Sequence, residues 1–206
     1  PYNSALLLDR NDEIRGRFDK NILILFGEYL PFYERLQFIE RWVPEVDNFS
    51  RGSDVVVLPV ETRVGTVKVG PMICYEDIFP SFGRRVARLK PNLLVNLTND
   101  AWFGNTSEPW LHLALSVYRA VEMRLDLVRA VNTGVSAFID STGRVYATTR
   151  VVDPEGTSTT APETLLQKIA VQQVRTLYST LGDWFAVSCL VVSALLLLRQ
   201  STATKS

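Results

Sequence analysis

Cysteine and histidine are nearly absent: Cys74, Cys189 and His112 are all that the 206 residues contain. Two thiols so far apart form neither a disulfide framework nor a structural zinc site, both of which need clustered ligands. The single imidazole argues further against metal, and neither metal nor cofactor is expected. Net charge is missing too, because 22 basic residues balance 22 acidic ones. Nothing in that balance attracts a polyanion, so nucleic acid is not expected as a partner. No internal repeat is visible, and no signal peptide precedes the strand-like opening "YNSALLLD". A chain that begins on Pro1 inside such a run is expected to be a piece of something longer.

What is present is apolar residue, 47% of the chain, enough for one domain with a sizeable core and something besides. Residues 2–8 and 14–18 flank the polar "RNDE" and predict a hairpin. Residues 55–60 and 66–73 predict two more strands, and 93–97 a strand of the buried type ending in polar loop residues. Pro80 is placed to open a short basic helix. Over 110–128, apolar residues from Trp110 to Val128 recur at helical spacing, with Arg119, Glu122, Arg124 and Asp126 between them. A further hairpin follows around "STG", then the polar stretch 153–164. Strands alternating with helices predict an α/β fold.

The tail differs in kind. Residues 184–198, "WFAVSCLVVSALLLL", carry no charge, start on Trp184 and are followed by Arg199 and Lys205. Such a run reads as a transmembrane helix or as a buried terminal helix. Its apolarity on every face favours the span, which needs help from Leu181 and Gly182 to reach across the ~30 Å hydrocarbon layer. The basic residues after it place the C-terminus in the cytoplasm and the α/β domain on the outer side.

Two side chains could carry chemistry. Cys74, in "VGPMICYEDIFP", falls at the C-terminal end of a strand, where α/β sheets present their ligand sites, and runs directly into Tyr75, Glu76 and Asp77. A buried cysteine is usually inert packing, but a strand end entering an acidic turn is a poor place to hide one. Lys20 ends the first hairpin in "RFDKNILILFGEYLPF", and Glu28 follows an apolar run. A lysine is usually a solvated charge. Together, a thiol, a lysine and carboxylates supply a nucleophile, a cation for a developing oxyanion, and acid/base capacity.

These segments, with "NLLVNLTNDAWFG", "HLALSVYRAVEMRLDLVRAVNTGVSAFIDSTGRV" and "TLYSTLGDWF" before an apolar tail, resemble the apolipoprotein N-acyltransferases, a membrane family of the nitrilase, or carbon-nitrogen hydrolase, superfamily. The resemblance implies a nitrilase-like α-β-β-α sandwich, incomplete at its N-terminus. It would comprise a partial catalytic domain over 1–165, a connecting segment over 166–183, a transmembrane helix over 184–200 and a cytoplasmic tail over 201–206. It implies a Glu-Lys-Cys triad in which Cys74 is the nucleophile and Lys20 the lysine, with Glu28, Tyr75 and Glu76 supporting the site. It implies residence in the inner membrane, a phospholipid acyl donor and an apolipoprotein acceptor. The sn-1 acyl chain would pass through a cysteine thioester to the amine of a diacylglyceryl cysteine.

Three departures qualify that pattern. The triad glutamate expected well upstream of Lys20 has no counterpart, Glu13 being too close to the lysine; the preceding transmembrane bundle is missing; and the usual "LVPFGE" reads "LILFGE". Two other readings therefore stay open, a soluble hydrolase cleaving a small amide or nitrile, and a remnant without activity. Elsewhere, His112 is expected to be structural, Asn96, Asn99 and Asp100 to shape loops, and Trp102 and Phe103 to be either core or acyl-chain contacts.

Overall fold

Local polarity sets the first element. Strands β1 (Ser4–Leu8) and β2 (Ile14–Asp19) pair antiparallel around a turn in which Asp12 takes a left-handed φ of 60° and the Asp9 carboxylate accepts the amides of Asn11 and Glu13. The computed structural model describes residues 1–30, 48–63, 65–101, 106–149 and 163–203. Trp102, Phe103 and most of the polar stretch 153–164 lie outside them.

The main sheet has six strands in the order β3 (Leu58–Thr62), β4 (Gly65–Ile73), β5 (Leu93–Thr98), β6 (Leu127–Val131), β7 (Ala137–Ile139) and β8 (Val145–Thr148). Strands β4, β5 and β6 run parallel and the other pairs antiparallel, so the sheet is mixed. Parallel neighbours need crossovers, supplied by α1 (Pro80–Arg88) and α2 (Glu108–Met123). The result is a nitrilase-like α/β fold.

Register decides which residues meet those helices. Gly70, Leu94, Leu127 and Ile139 form one row across the sheet, and Met72, Asn96, Arg129 and Ala137 the next. Gly70 is there because α1 lies so close that a Cβ would stand 2.6 Å from Val86. This face is fully buried. On the other face Leu93 is buried, Val95, Val128 and Phe138 are half-buried, and Leu97 and Ala130 are exposed. The hairpin packs at the C-terminal end of β4, with Phe18 and Phe82 of α1 6.4 Å apart.

Two expected elements come out differently. The helix expected over 110–128 stops at Met123, because Arg124 adopts a left-handed φ of 54°. Its last apolar positions belong instead to the connection and to β6, whose buried residues continued the helical spacing by coincidence. The tail forms α3 (Leu177–Leu181) and α4 (Trp184–Ala203), and residues 184–200 are exposed throughout, so α4 is not a buried terminal helix. Nor does it meet the expectation of a span as it stands: among the described residues no helix is long and apolar enough to cross a membrane.

Candidate active site

Strand β4 delivers Cys74 to its own end. There the chain turns into a 3-10 helix (Cys74–Ile78), and Cys74 takes a φ of 54°, a region that costs a residue with a Cβ free energy and so must be enforced by its surroundings. Two bonds enforce it: the Glu76 carboxylate accepts the Ile73 amide at 2.8 Å, and Asn96 of β5 donates to the Cys74 carbonyl at 2.9 Å. The thiol opens on a cavity of about 500 Å³ whose lining includes Ala5, Ile24, Glu28, Tyr75 and Thr98. Burial pushes its pKa up, opposed by the charge of Lys20, the Thr98 hydroxyl and the Tyr75 main-chain N–H. At rest the group is a protonated thiol in need of a base.

Lys20 follows β2 directly and is buried, its Nζ 2.8 and 2.7 Å from the two oxygens of Glu28. The hairpin fixes its main chain through the Lys20 amide on the Asn3 carbonyl (2.9 Å), and Gly52 donates to the Lys20 carbonyl (2.8 Å). A Cβ on Gly52 would lie 2.2 Å from the Asp19 carbonyl oxygen, so only glycine lets that segment clamp the lysine. Glu28 also accepts Asn3 Nδ2 at 3.1 Å and the Ile24 amide at 2.9 Å. The turn that presents it is closed by its own amide on the Ile24 carbonyl at 2.8 Å, with no proline in the run 21–28.

Glu76, expected beside the site, holds two parts of it together. One oxygen takes the amides of Asn21 (2.6 Å) and Ile22 (3.1 Å), next to Lys20, while the other takes Ile73, next to Cys74. Burial pushes its carboxyl up to about 7 against the pull of those three amides and of Lys20. With every oxygen of Glu28 and Glu76 already accepting, neither carboxylate is placed as a free base for the thiol.

Beneath the turn lies a polar cluster that sequence reasoning largely missed. Asp77 was read only as part of the acidic turn after Cys74, Arg129 went unremarked, and Asp100 and His112 were read as loop-shaping and structural. All four side chains are fully buried. Arg129 donates to Asp77 (3.2 Å), Asp100 (2.9 Å), Asn96 (3.1 Å) and Ser116 (3.0 Å). Asn96 therefore supports the nucleophile and does not merely shape a loop, whereas Asn99 does shape one by accepting the Ala101 amide. The available signal was Arg129 itself, a guanidinium inside the apolar strand "LVRAV" that can be buried only if carboxylates meet it. Tyr75 stacks on His112 with ring centroids 4.7 Å apart, and its hydroxyl donates to Glu108. Asp100, Glu108 and His112 gather donor atoms within 4.8 Å of one another, but those atoms face partners in this cluster and we assign no ion to them.

Known proteins resemble this chain in sequence and in fold. The profile of the carbon-nitrogen hydrolase family matches residues 1–175. An apolipoprotein N-acyltransferase of Geobacter metallireducens is 38% identical over 204 residues, which is 97% of this chain and 37% of that protein. One of Bdellovibrio bacteriovorus is 43% identical over 145 residues, 70% of this chain and 26% of that protein. The chain thus spans roughly a third of the length of these relatives. In fold it resembles Saccharomyces cerevisiae Nit3, a member of branch 10 of the nitrilase superfamily (TM-score 0.52, 20% identity, 72% of this chain and 49% of that one). It also resembles the Caenorhabditis elegans NitFhit protein (TM-score 0.53, 22% identity, 73% and 35%).

Proposed function

This chain belongs to the carbon-nitrogen hydrolase family, and from that premise we propose that it carries the cysteine and lysine of a membrane N-acyltransferase acting on apolipoproteins. The observation that supports this most directly is Cys74 on a left-handed turn, opening on the same cavity as the Glu28 that fixes Lys20. The Cys74 thiolate attacks the ester carbonyl of a phospholipid. A carbon–sulfur bond forms, Lys20 and the Tyr75 main-chain N–H stabilise the oxyanion, and the ester C–O bond breaks to release the lysophospholipid alkoxide, which takes up a proton. The amine of the acceptor then attacks the thioester: a carbon–nitrogen bond forms, the carbon–sulfur bond breaks, and the proton that the amine gives up passes through the base to the Cys74 sulfur, restoring the thiol. The proton first lost by the thiol needs a base; Glu28 and Glu76 are committed to other donors, and the family resemblance implies a further carboxylate for that role, the glutamate of a Glu-Lys-Cys triad. In this reading residues 1–165 are the catalytic part, 166–183 the connection, and the chain the C-terminal portion of a longer enzyme.

The test is to incubate the chain, co-produced with the N-terminal part of the Geobacter metallireducens relative that it does not cover, with phospholipid labelled in its acyl chain. Label is expected on the chain, released by hydroxylamine, and then on the N-terminal amine of an added diacylglyceryl lipopeptide. Acyl label that only ever appears as free acid, with or without lipopeptide, would instead mark a hydrolase.

For the tail, we propose that 184–200 seats its apolar side chains in the inner membrane and anchors the catalytic part on the outer, periplasmic side. The unbroken exposure of its apolar side chains and the Trp184 and Arg199 flanks support this. Alkaline carbonate washing is expected to leave the chain in the membrane pellet and to release a chain ended after Thr180. Release of the whole chain by the wash would show that α4 does not anchor it.

A further inference from the structure

His112 lies between two carboxylates. Its Nδ1 is 3.1 Å from an Asp100 oxygen and its Nε2 2.9 Å from an Asp77 oxygen. A neutral imidazole has one N–H and one lone pair, so one of those contacts would set a lone pair against a carboxylate oxygen. Only a ring protonated at both nitrogens donates to both. The carboxylates' other contacts are Arg129, which donates to both, and two hydroxyls, Ser116 Oγ 2.5 Å from Asp77 and Thr98 Oγ1 3.2 Å from Asp100. A proton on either acid would have to be donated to the ring nitrogen it faces, and the Arg129 guanidinium on both carboxylates favours their ionised form, which leaves that proton on the ring. Charge counting reaches the same conclusion. Asp77 and Asp100 carry two negative charges and Arg129 one positive, all with no side-chain exposure. An unpaired buried charge is strongly unfavourable, and one more cation balances the cluster.

We infer that His112 is held as an imidazolium at neutral pH and acts as the positioning residue for Tyr75, against whose ring it stacks and which directly follows Cys74. The groups facing the ring are Asp77 of the 3-10 turn, Asp100 after β5, Arg129 of β6, Tyr75 above and Glu108 at the start of α2. Burial and Arg129 oppose the extra proton, and the bonds to Asp100 and Asp77 outweigh them, so the ring titrates above its ordinary value. The stability that this charge contributes is fully present below about 6.5, the unfolded value, and is lost as pH rises through the folded midpoint. The inference stands on geometry within one cluster and does not depend on the acyl-transfer reading.

The chain has one histidine, so a sample labelled with nitrogen-15 in histidine reports this ring alone. At pH 7.5, where a histidine of ordinary pKa (~6.5) is about nine-tenths neutral, both ring nitrogens are expected to be protonated. As pH is raised until the ring deprotonates, the Tyr75 ring signals, assigned by their loss in Tyr75→Phe, are expected to move with the same midpoint. Asp100→Asn is expected to lower that midpoint by about one unit, a tenfold loss of proton affinity. A ring in one neutral tautomer at pH 7.5 in the unaltered chain overturns the imidazolium. Tyr75 signals unmoved as the ring loses its proton overturn the positioning role.

Discussion

Alanine in place of Cys74 is expected to abolish formation of the hydroxylamine-labile acyl adduct while leaving the fold intact. The two halves of that statement have separate causes. An alkyl side chain has no lone pair to attack the ester, so the covalent route disappears and the rate falls by at least ~10⁴-fold. The fold survives because the thiol faces the cavity and is only partly buried, and because alanine at a φ of 54° is strained about as much as cysteine. Bonds that enforce the turn run to the Ile73 amide and the Cys74 carbonyl, which alanine retains. An acyl adduct of parental rate and yield in the variant would remove Cys74 from the nucleophile's role.

Lys20→Met is expected to cost both stability and chemistry, and a second substitution separates the two. Both partners of the Lys20–Glu28 pair are buried, the lysine side chain 1% and the glutamate 10% exposed. Removing the ammonium strands the carboxylate, a loss of ~3–5 kcal/mol for a buried pair. In the double variant Lys20→Met, Glu28→Leu no charge is left stranded, and most of that loss is expected to return. Thioester formation is not expected to return with it, because nothing replaces the cation beside the developing oxyanion. Unfolding midpoints in urea measure the first effect and single-turnover labelling the second. A double variant that recovers stability and full labelling would reduce Lys20 to a structural residue.

Much of the scaffold was legible because its periodicities are local. The first hairpin, the strands around 66–73 and 93–97 and the helix opened by Pro80 stand where alternation and punctuation placed them, within a residue or two. Cys74 and Lys20 were legible as unusual residues at strand ends. What the sequence did not reveal is pairing. No pattern in "FGEYL" states that Glu28 spends both oxygens on Lys20, nor does "CYED" show that Glu76 accepts main-chain amides from a segment over 50 positions away. Asp77, part of the acidic turn after the cysteine in the sequence, is buried against His112, Ser116 and Arg129. Three charged residues from three elements meet there only because β5 and β6 align Asn96 with Arg129 under α2.

The Glu76 carboxylate has a consequence for motion. Because one oxygen holds the main chain beside Lys20 and the other the main chain beside Cys74, the two reactive residues belong to one cooperative unit. A fluctuation that frees the lysine segment must also release a donor from the carboxylate that enforces the cysteine turn. Partly assembled states, with an exposed thiol and a lysine still seated, are thereby kept scarce. Oxidants and stray electrophiles then meet Cys74 either in its finished surroundings or in an open segment that recloses as a whole.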